Sequence, residues 1–315
     1  MISAILVSFL LYQHAPLVSA GPKLTNDAFS RPIDLVEIAP GDCWVLDQGE
    51  RTVFHLKNDG ISSQIGRRGQ GPGEFQAPIE ITQHGELLLI YDKGKGTLAS
   101  FTNAGAFVSE TKIARATSGQ FLRDRIILHT PLTKNLFQVF DFLGNQISVI
   151  GTGMGEFLDL KRISAYLKIF HSTEDTLHFV SQDGQRISKA TLADGHISVR
   201  PSLGFDFSEF MRKKEVRTLS IGRFTIENEQ PIQSLAYHQD VTWLIVKNER
   251  ESKNGEESTY LIGFNSLGKL VYFSLTPYYV RKLSIQKGKM YLFNFDEAFV
   301  AGFHIPTIAG NHTHR

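Results

Sequence analysis

The feature that most constrains this sequence is a repeated order of short apolar segments and glycine turns. An apolar segment ending in an acid, a polar turn and a second apolar segment occupy 43–56 and close at Gly60. The same order fills 87–101 and closes at Gly105, which lies 45 residues after Gly60. Looser copies lead to Gly144, Gly195 and Gly268. Glycine suits hairpin turns that need a positive φ, and self-similarity at this period is typical of repeat architectures. The sequence therefore predicts an all-β chain of similar antiparallel units.

A second repeated element joins these units. The glycine-rich segment Gly66–Phe75 precedes an apolar segment that begins at Pro78, and a degenerate copy spans 151–157. Together with the strand that ends at Asp92 and the turn at Gly105, this element resembles the NHL-type repeat of bacterial six-bladed β-propellers. That resemblance implies four antiparallel strands per blade around a central channel. It also implies that the glycine-rich segment carries the chain from the outer strand of one blade to the inner strand of the next.

We therefore predict an all-β fold, a six-bladed β-propeller of four-stranded antiparallel blades within 21–306. The blades are assigned to 32–75, 76–114, 115–157, 158–204, 231–277 and 278–306. The last unit is one strand short, and we expect an N-terminal strand from within 22–30 to complete it and close the ring, which removes exposed sheet edges. An insertion at 205–230 is expected to contain a short helix capped by Ser208. Residues 307–315 are expected to form a flexible tail.

The N-terminal residues 1–20 have the pattern of a signal peptide. An apolar run covers 2–11, and the small residues Ser19 and Ala20 precede Gly21, although no basic residue stands before the run. The run is shorter than the roughly 20 residues that span a bilayer, so no transmembrane anchor is expected in the mature chain. We predict a periplasmic or secreted protein. Cys43 is the single cysteine, so an internal disulfide is excluded and a buried thiol is expected.

The sequence supports neither nucleic-acid binding nor the catalytic site of an α/β-hydrolase. Lys and Arg number 33 against 32 Asp and Glu, so no overall positive field favours nucleic acid. The pattern Gly-x-Ser-x-Gly is absent, so nothing supports the nucleophile elbow of α/β-hydrolases. We expect a monomer that binds a protein, peptide or glycan on one propeller face.

The segment Gly66–Phe75 is interpreted as an inter-blade turn and not as a phosphate-binding loop. A phosphate loop needs a helix after it, whereas a strand follows this segment. Connections between blades lie on the same face as the turns that hold Arg51 and Lys93, so Arg67 and Arg68 join them there. Guanidinium groups match carboxylate and sulfate geometry. These four residues are our candidate ligand-binding set, and a solvated surface of mixed charge is the alternative.

Metal binding is the second kind of site that we consider. His84, His171 and His238 each follow a presumed innermost strand, and three imidazoles could hold zinc with an open position for water. The alternative is three solvated turn histidines. The strand-end acids Asp47, Asp92 and Asp296 are expected to accept hydrogen bonds from turn amides, with calcium binding as the alternative. No other cofactor is expected.

Two functions therefore remain open. The first, which we favour, is a non-enzymatic binding module. The second is a metal-assisted lyase or lactone hydrolase with its site at the channel, as the resemblance to propeller enzymes implies. The fold alone does not separate them, because this scaffold hosts both.

Overall fold

The computed structural model describes residues 17–25, 27–58, 60–130, 137–150, 169–173, 176–180, 187–191, 199–203, 219–221, 224–226, 232–248, 258–306 and 308. Within these ranges the regular structure consists of β-strands, numbered β1 to β26 in chain order. No described residues form a helix long and apolar enough to cross a membrane.

Among the described residues, the strands form six four-stranded antiparallel sheets and one two-stranded ribbon. The first sheet contains β2 (Pro32–Ala39), β3 (Asp42–Asp47), β4 (Thr52–Lys57) and β5 (Gly60–Ile65). The second contains β6 (Pro78–His84), β7 (Leu87–Asp92), β8 (Thr97–Thr102) and β9 (Phe107–Lys112). The third contains β10 (Ser118–Leu122), β11 (Arg125–His129), β12 (Phe137–Asp141) and β13 (Gln146–Ile150).

The later sheets follow the same order. The fourth contains β14 (Ile169–Thr173), β15 (Thr176–Val180), β16 (Ile187–Thr191) and β17 (Val199–Leu203). The ribbon consists of β18 (Leu219–Ile221) and β19 (Phe224–Ile226). The fifth sheet contains β20 (Ile232–His238), β21 (Val241–Asn248), β22 (Ser258–Asn265) and β23 (Leu270–Leu275). The sixth contains β24 (Lys282–Gln286), β25 (Lys289–Asn294), β26 (Phe299–His304) and β1 (Ser19–Thr25).

The first strands of the sheets are neighbours in cyclic order. β2 contacts β6, β6 contacts β10, β10 contacts β14, β14 contacts β20, β20 contacts β24, and β24 contacts β2. First strands that surround a common axis, with later strands further out, are the arrangement of a propeller. The fold is therefore all-β, with four-stranded antiparallel blades in a propeller.

The burial of the strands explains their sequences. The inner and middle strands β2, β3, β7 and β25 are buried along almost their whole length, and the outer strands β5 and β9 are mostly exposed. Sheets that pack face to face cover both sides of their central strands, so β3, β7 and β25 are mostly apolar without regular polar alternation, whereas β2 also buries the acids Asp34 and Glu37. The largest fully buried side chains, Trp44 and Trp243, lie on β3 and β21.

The fourth strand of the sixth sheet comes from the N-terminal segment. Lys23 and Thr25 of β1 pair with Ala301 and Phe299 of β26. The sequence predicts this strand within 22–30, and it begins earlier, at Ser19, because the pairing with β26 extends to Phe303. The predicted leader, 1–20, therefore ends inside β1.

Several predicted segments lie outside the described residues. They are the apolar run of the leader, the second glycine-rich copy at 151–157, the helix expected after Ser208, and all of the tail except Ile308.

Candidate functional site: the loop face

The glycine-rich connection and the turns that hold Arg51 and Lys93 lie at one end of the propeller. Because neighbouring strands are antiparallel, the connections between sheets lie at the same end as the turns between second and third strands. We call this end the loop face. Its described segments are 27–31, 48–51, 66–77, 93–96, 113–117, 276–281 and 295–298.

Two buried acids fix the backbone of the loop face. The Asp47 carboxylate accepts hydrogen bonds from the backbone N–H groups of Ser30, Arg31 and Glu50 at 2.8 to 3.0 Å. The Asp92 carboxylate accepts those of Gln76, Ala77, Gly94 and Lys95 at 2.6 to 3.1 Å. Both side chains are fully buried. The expectation that these strand-end acids bind turn amides is confirmed for Asp47 and Asp92.

At the equivalent turn of the sixth sheet the prediction was wrong. The amide oxygen of Asn294 accepts the N–H groups of Asp296 and Glu297 at 2.9 and 2.7 Å, so the cap is the Asn294 side chain, and Asp296 contributes its backbone N–H as one of the donors. The cap is the last residue of β25, as Asp92 is the last residue of β7. An amide oxygen accepts turn N–H groups as a carboxylate does, which is why the acid is not required at this position.

The glycine-rich connection is a rigid turn stabilised by its own backbone. Gly69 N–H donates to Phe75 O at 3.0 Å, and Phe75 N–H donates to Arg67 O at 2.8 Å. Gly66 has a φ of 74°, and a Cβ there would lie 2.1 Å from the fully buried Phe75 ring. This position therefore accepts only glycine. The strand β6 follows, so the structure agrees with an inter-blade turn.

Within this turn the two arginines differ. Arg67 Nε donates to Glu74 Oε1 at 2.7 Å, while four-fifths of the Arg67 side chain is exposed. A hydrogen bond from Gly71 N–H, and then the Arg67 guanidinium, hold the pKa of Glu74 below its usual value. Arg68 is exposed, and no other described residue forms an ion pair with it. Arg67 is therefore partly neutralised, and Arg68 presents its full charge to solvent.

Two contacts bring the neighbouring turns against this connection. Gln48 Nε2 donates to Pro78 O at 3.2 Å, which links the turn of Arg51 to the start of β6. Lys95 Nζ donates to Gly71 O at 2.8 Å and to Glu74 O at 3.1 Å, which links the turn of Lys93 to the glycine-rich connection. The three segments that hold the four predicted basic residues are therefore joined.

A fifth cation lies next to them. Arg115, in the connection between β9 and β10, is exposed, and its Cγ lies close to Gly96 in the turn of Lys93. Sequence reasoning missed it, because no repeat marks this connection. We call Arg51, Arg67, Arg68, Lys93 and Arg115 the basic arc. Within the described part of the chain, only Arg67 of the five has a carboxylate partner.

The sixth sheet adds acids to the described loop face. Beside β1 a cavity of about 530 Å³ is lined by Thr25, Asp27, Phe29, Glu297 and Ala298. Asp27 and Glu297 are exposed, and so is Arg31, whose guanidinium lies over the Phe295 ring. The loop face thus has a basic arc on the first three sheets and a sector of mixed charge at the sixth.

A third charged group lies on the innermost strands. Lys282 Nζ of β24 is 3.4 Å from Asp34 Oδ1 of β2 and 3.5 Å from Glu80 Oε1 of β6. Burial raises the pKa of Glu80 well above its usual value. Sequence reasoning missed these residues, although the repeated order Pro-Ile-acid-aliphatic at 32–35 and 78–81 was a usable signal.

The three predicted zinc ligands lie on three different sheets. His84 is the last residue of β6, where its ring packs edge-on against Phe142 at 5.0 Å, and His238 is the last residue of β20. His171 lies in β14, and its side chain is outside the described set. Across the described residues, no three His, Cys, Asp or Glu side chains converge as metal ligands. Burial lowers the pKa of His238 below its usual value.

Comparisons with known proteins agree with this architecture. No protein-family model matches the sequence. No curated protein matches it either. A Bacteroides fragilis protein to which export is ascribed superposes with a TM-score of 0.58 at 13% identity, covering 91% of this chain and 93% of its own. The chain is a β-propeller.

Two further structures match the propeller. A member of the DUF4221 family from Bacteroides vulgatus has a TM-score of 0.52 at 11% identity, covering 92% of this chain and 95% of its own. A streptogramin B lyase has a TM-score of 0.51 at 11% identity, covering 86% of this chain and 78% of its own. At such identities the likeness shows the fold alone, and function depends on the site.

Proposed function

We propose that this chain is an exported six-bladed β-propeller, closed by the pairing of β1 with β26, that works as a monomeric binding module. Its ligand is an anionic group of a peptide, protein or glycan, and the basic arc binds that group. The observation that carries the proposal is the arrangement of the arc. Three segments that hold Arg51, Arg68 and Lys93 are tied to one another on one face, and their charges have no described carboxylate partner.

The chemistry of the arc favours carboxylate or sulfate ligands. Guanidinium groups donate paired hydrogen bonds to two oxygens of a carboxylate or a sulfate, and such charge-assisted bonds are roughly twice as strong as neutral ones. The backbone under the arc is preorganised by the Asp92 carboxylate and the Lys95 ammonium. Preorganisation lowers the entropy lost on binding, so a modest number of cations can give useful affinity.

Two observations support export. The N-terminal segment has the apolar run and small residues of a signal peptide. Export is also ascribed to the Bacteroides fragilis protein that shares the fold. A propeller outside the cytoplasm with one charged face is suited to capture a partner and requires no catalysis.

The test is the affinity of the purified protein for a sulfated dextran oligosaccharide, measured by calorimetry, with neutral dextran of equal length as the reference ligand. The double variant Arg68→Ala/Lys93→Ala should weaken binding by about tenfold or more, which corresponds to about 1.4 kcal/mol. An acidic peptide measured in parallel shows whether carboxylates serve as well as sulfates.

The matched control is Lys269→Ala. Lys269 is exposed in the turn between β22 and β23, at the opposite end of the propeller, and its removal lowers the net charge without touching the arc. This variant should change the affinity by less than about twofold, since long-range charge effects are screened by salt. The control removes one charge and the double variant two, so a control that loses half as much binding free energy as the double variant would mean that net charge alone attracts the anion. The proposed site would then be wrong.

A further inference from the structure

Three charged side chains meet on the innermost strands of the first, second and sixth sheets. Lys282 on β24 lies within 3.5 Å of Asp34 on β2 and of Glu80 on β6. Asp34 Oδ2 also accepts the backbone N–H of Ile81 at 3.1 Å. These contacts join three separate sheets. They are important because neighbouring propeller sheets share no backbone ladder, so their innermost strands are held together by side-chain contacts.

A second polar group lies at the boundary between the first and sixth sheets. Lys289 Nζ is 2.7 Å from Glu37 Oε1, and the Tyr291 hydroxyl donates to Glu37 Oε2 at 2.8 Å. The backbone N–H of Glu37 donates to Gln286 Oε1 at 3.2 Å. The boundary where the last sheet meets the first is therefore held by polar side chains as well as by apolar packing.

The two polar groups differ in their charge balance. In one, the Glu37 carboxylate faces the Lys289 ammonium. In the other, the Lys282 ammonium faces the carboxylates of both Asp34 and Glu80. Asp34 is almost fully buried, and the side chains of Glu80 and Lys282 are 22% and 24% exposed. A buried group of two carboxylates and one ammonium has an uncompensated negative charge unless it takes up a proton. Since Asp34 already accepts an amide hydrogen, Glu80 is the residue that can carry the proton and donate it to Asp34.

We propose that Asp34, Glu80 and Lys282 form a proton-dependent clasp across the junction of the first, second and sixth sheets. The clasp is neutral and closed when Glu80 is protonated. Loss of that proton leaves two carboxylates facing each other beside one ammonium, and their repulsion weakens the junction.

The pKa shifts agree with this geometry. Burial raises the pKa of Glu80 well above its usual value, the Lys282 ammonium opposes that rise, and the Asp34 carboxylate adds to it. For Lys282, burial lowers the pKa, but the carboxylates of Asp34 and Glu80 more than offset this and leave it raised. Lysine therefore stays charged over the pH range in which Glu80 titrates.

No other described group faces Glu80 with a charge. On β7, its cross-strand neighbour Tyr91 directs its hydroxyl to Ala114 O at 2.9 Å. On β2, Glu37 points to Lys289 and Tyr291. Strand β10, which also contacts β6, contains no titratable residue.

The sign of the pH dependence follows from linkage. A carboxyl group whose folded pKa is raised confers stability that is fully present below its unfolded pKa and is lost as pH rises through the folded pKa. The clasp should therefore weaken on the alkaline side. Glu80→Gln keeps a hydrogen-bond donor toward Asp34 and cannot ionise, so it should hold the clasp closed at every pH.

The experiment compares the melting temperature of the wild-type chain and of Glu80→Gln between pH 6 and pH 9. The wild-type value should fall by about 3 °C or more beyond the fall seen in the variant. The matched control is Glu110→Gln, which removes a carboxylate paired with Lys95 but lacking a second acid. The control should lower the melting temperature at both pH values without changing its pH dependence. Equal slopes for wild type and Glu80→Gln would overturn the proposal.

A second measurement does not depend on variant folding. Infrared spectra of the wild-type chain, titrated upward from pH 4, should show the carbonyl band of a protonated carboxyl group that persists above the range in which ordinary glutamates ionise. At higher pH the band should vanish together with protection of 282–286 from hydrogen exchange. A wild-type titration in which every carboxyl band vanishes in the ordinary range of glutamate would refute the clasp.

Discussion

Replacing Asp92 by alanine removes the carboxylate under the basic arc. Its oxygens accept the backbone N–H groups of Gln76 at 2.6 Å, Ala77 at 3.0 Å, Gly94 at 2.8 Å and Lys95 at 3.1 Å. The carboxylate thereby holds two loop-face segments together. The side chain is fully buried, so in the variant four amides lose a charged acceptor at once.

The magnitude follows from the surroundings of those amides. A hydrogen bond to a charged group contributes about 1.5–3 kcal/mol. The four donors lie in half-buried turns, so in the variant water accepts some of the hydrogen bonds that the carboxylate accepted. We therefore expect Asp92→Ala to lower the free energy of unfolding by about 3–5 kcal/mol, at the upper end for single substitutions. Affinity for sulfated dextran should fall as well, because the segments that hold Arg68 and Lys93 lose their common anchor.

The assay is equilibrium urea unfolding with an unchanged m-value. The matched control is Asp141→Ala. Asp141 accepts the N–H groups of Leu143 and Asn145 at 3.0 and 2.8 Å, but the turn is exposed and water can take its place. Its replacement should therefore lower the free energy of unfolding much less than Asp92→Ala does. If Asp92→Ala and Asp141→Ala lowered the free energy of unfolding equally, burial would not determine how much these aspartates contribute to stability, and the reasoning would be refuted.

Two further predictions concern the glycine-rich turn and a buried histidine. Gly66→Ala should lower the melting temperature far more than Gly85→Ala, because both have positive φ but only the Cβ at 66 would meet the Phe75 ring, and nothing lies within 4 Å at 85. Similar losses at both positions would show that φ alone matters. Burial lowers the pKa of His129 to about 4, and its Nδ1 lies 2.7 Å from the Thr117 hydroxyl. The pKa of His129 is lower in the folded chain than in the unfolded chain, so neutral His129 stabilises the fold fully above about pH 6.5. This stabilisation, on the order of 3 kcal/mol, is lost as pH falls toward 4. Thermal unfolding of His129→Gln from pH 7 to 4.5 should show a flatter decline than the wild-type chain, and an unchanged decline would contradict the assignment.

The sequence was most informative where structure depends on near neighbours. The hairpin units, the caps at Asp47 and Asp92 and the turn at Gly66 each depend on φ preferences and on hydrogen bonds of a repeated local pattern. Their chemistry is therefore visible in residue order. The cap that was placed at Asp296 and found at Asn294 shows the limit, since an amide and a carboxylate satisfy the same turn.

The tertiary structure alone decided which distant residues meet. Lys282 is 202 residues from Glu80 along the chain, and only the cyclic arrangement of first strands brings it to Asp34 and Glu80. The start of β1 at Ser19 likewise depended on the length of its partner β26. Arg115 joined the basic arc through the packing of one connection against the turn of Lys93. Local periodicity specifies a blade, whereas contacts between blades depend on how the blades are set around the axis, which no local pattern encodes.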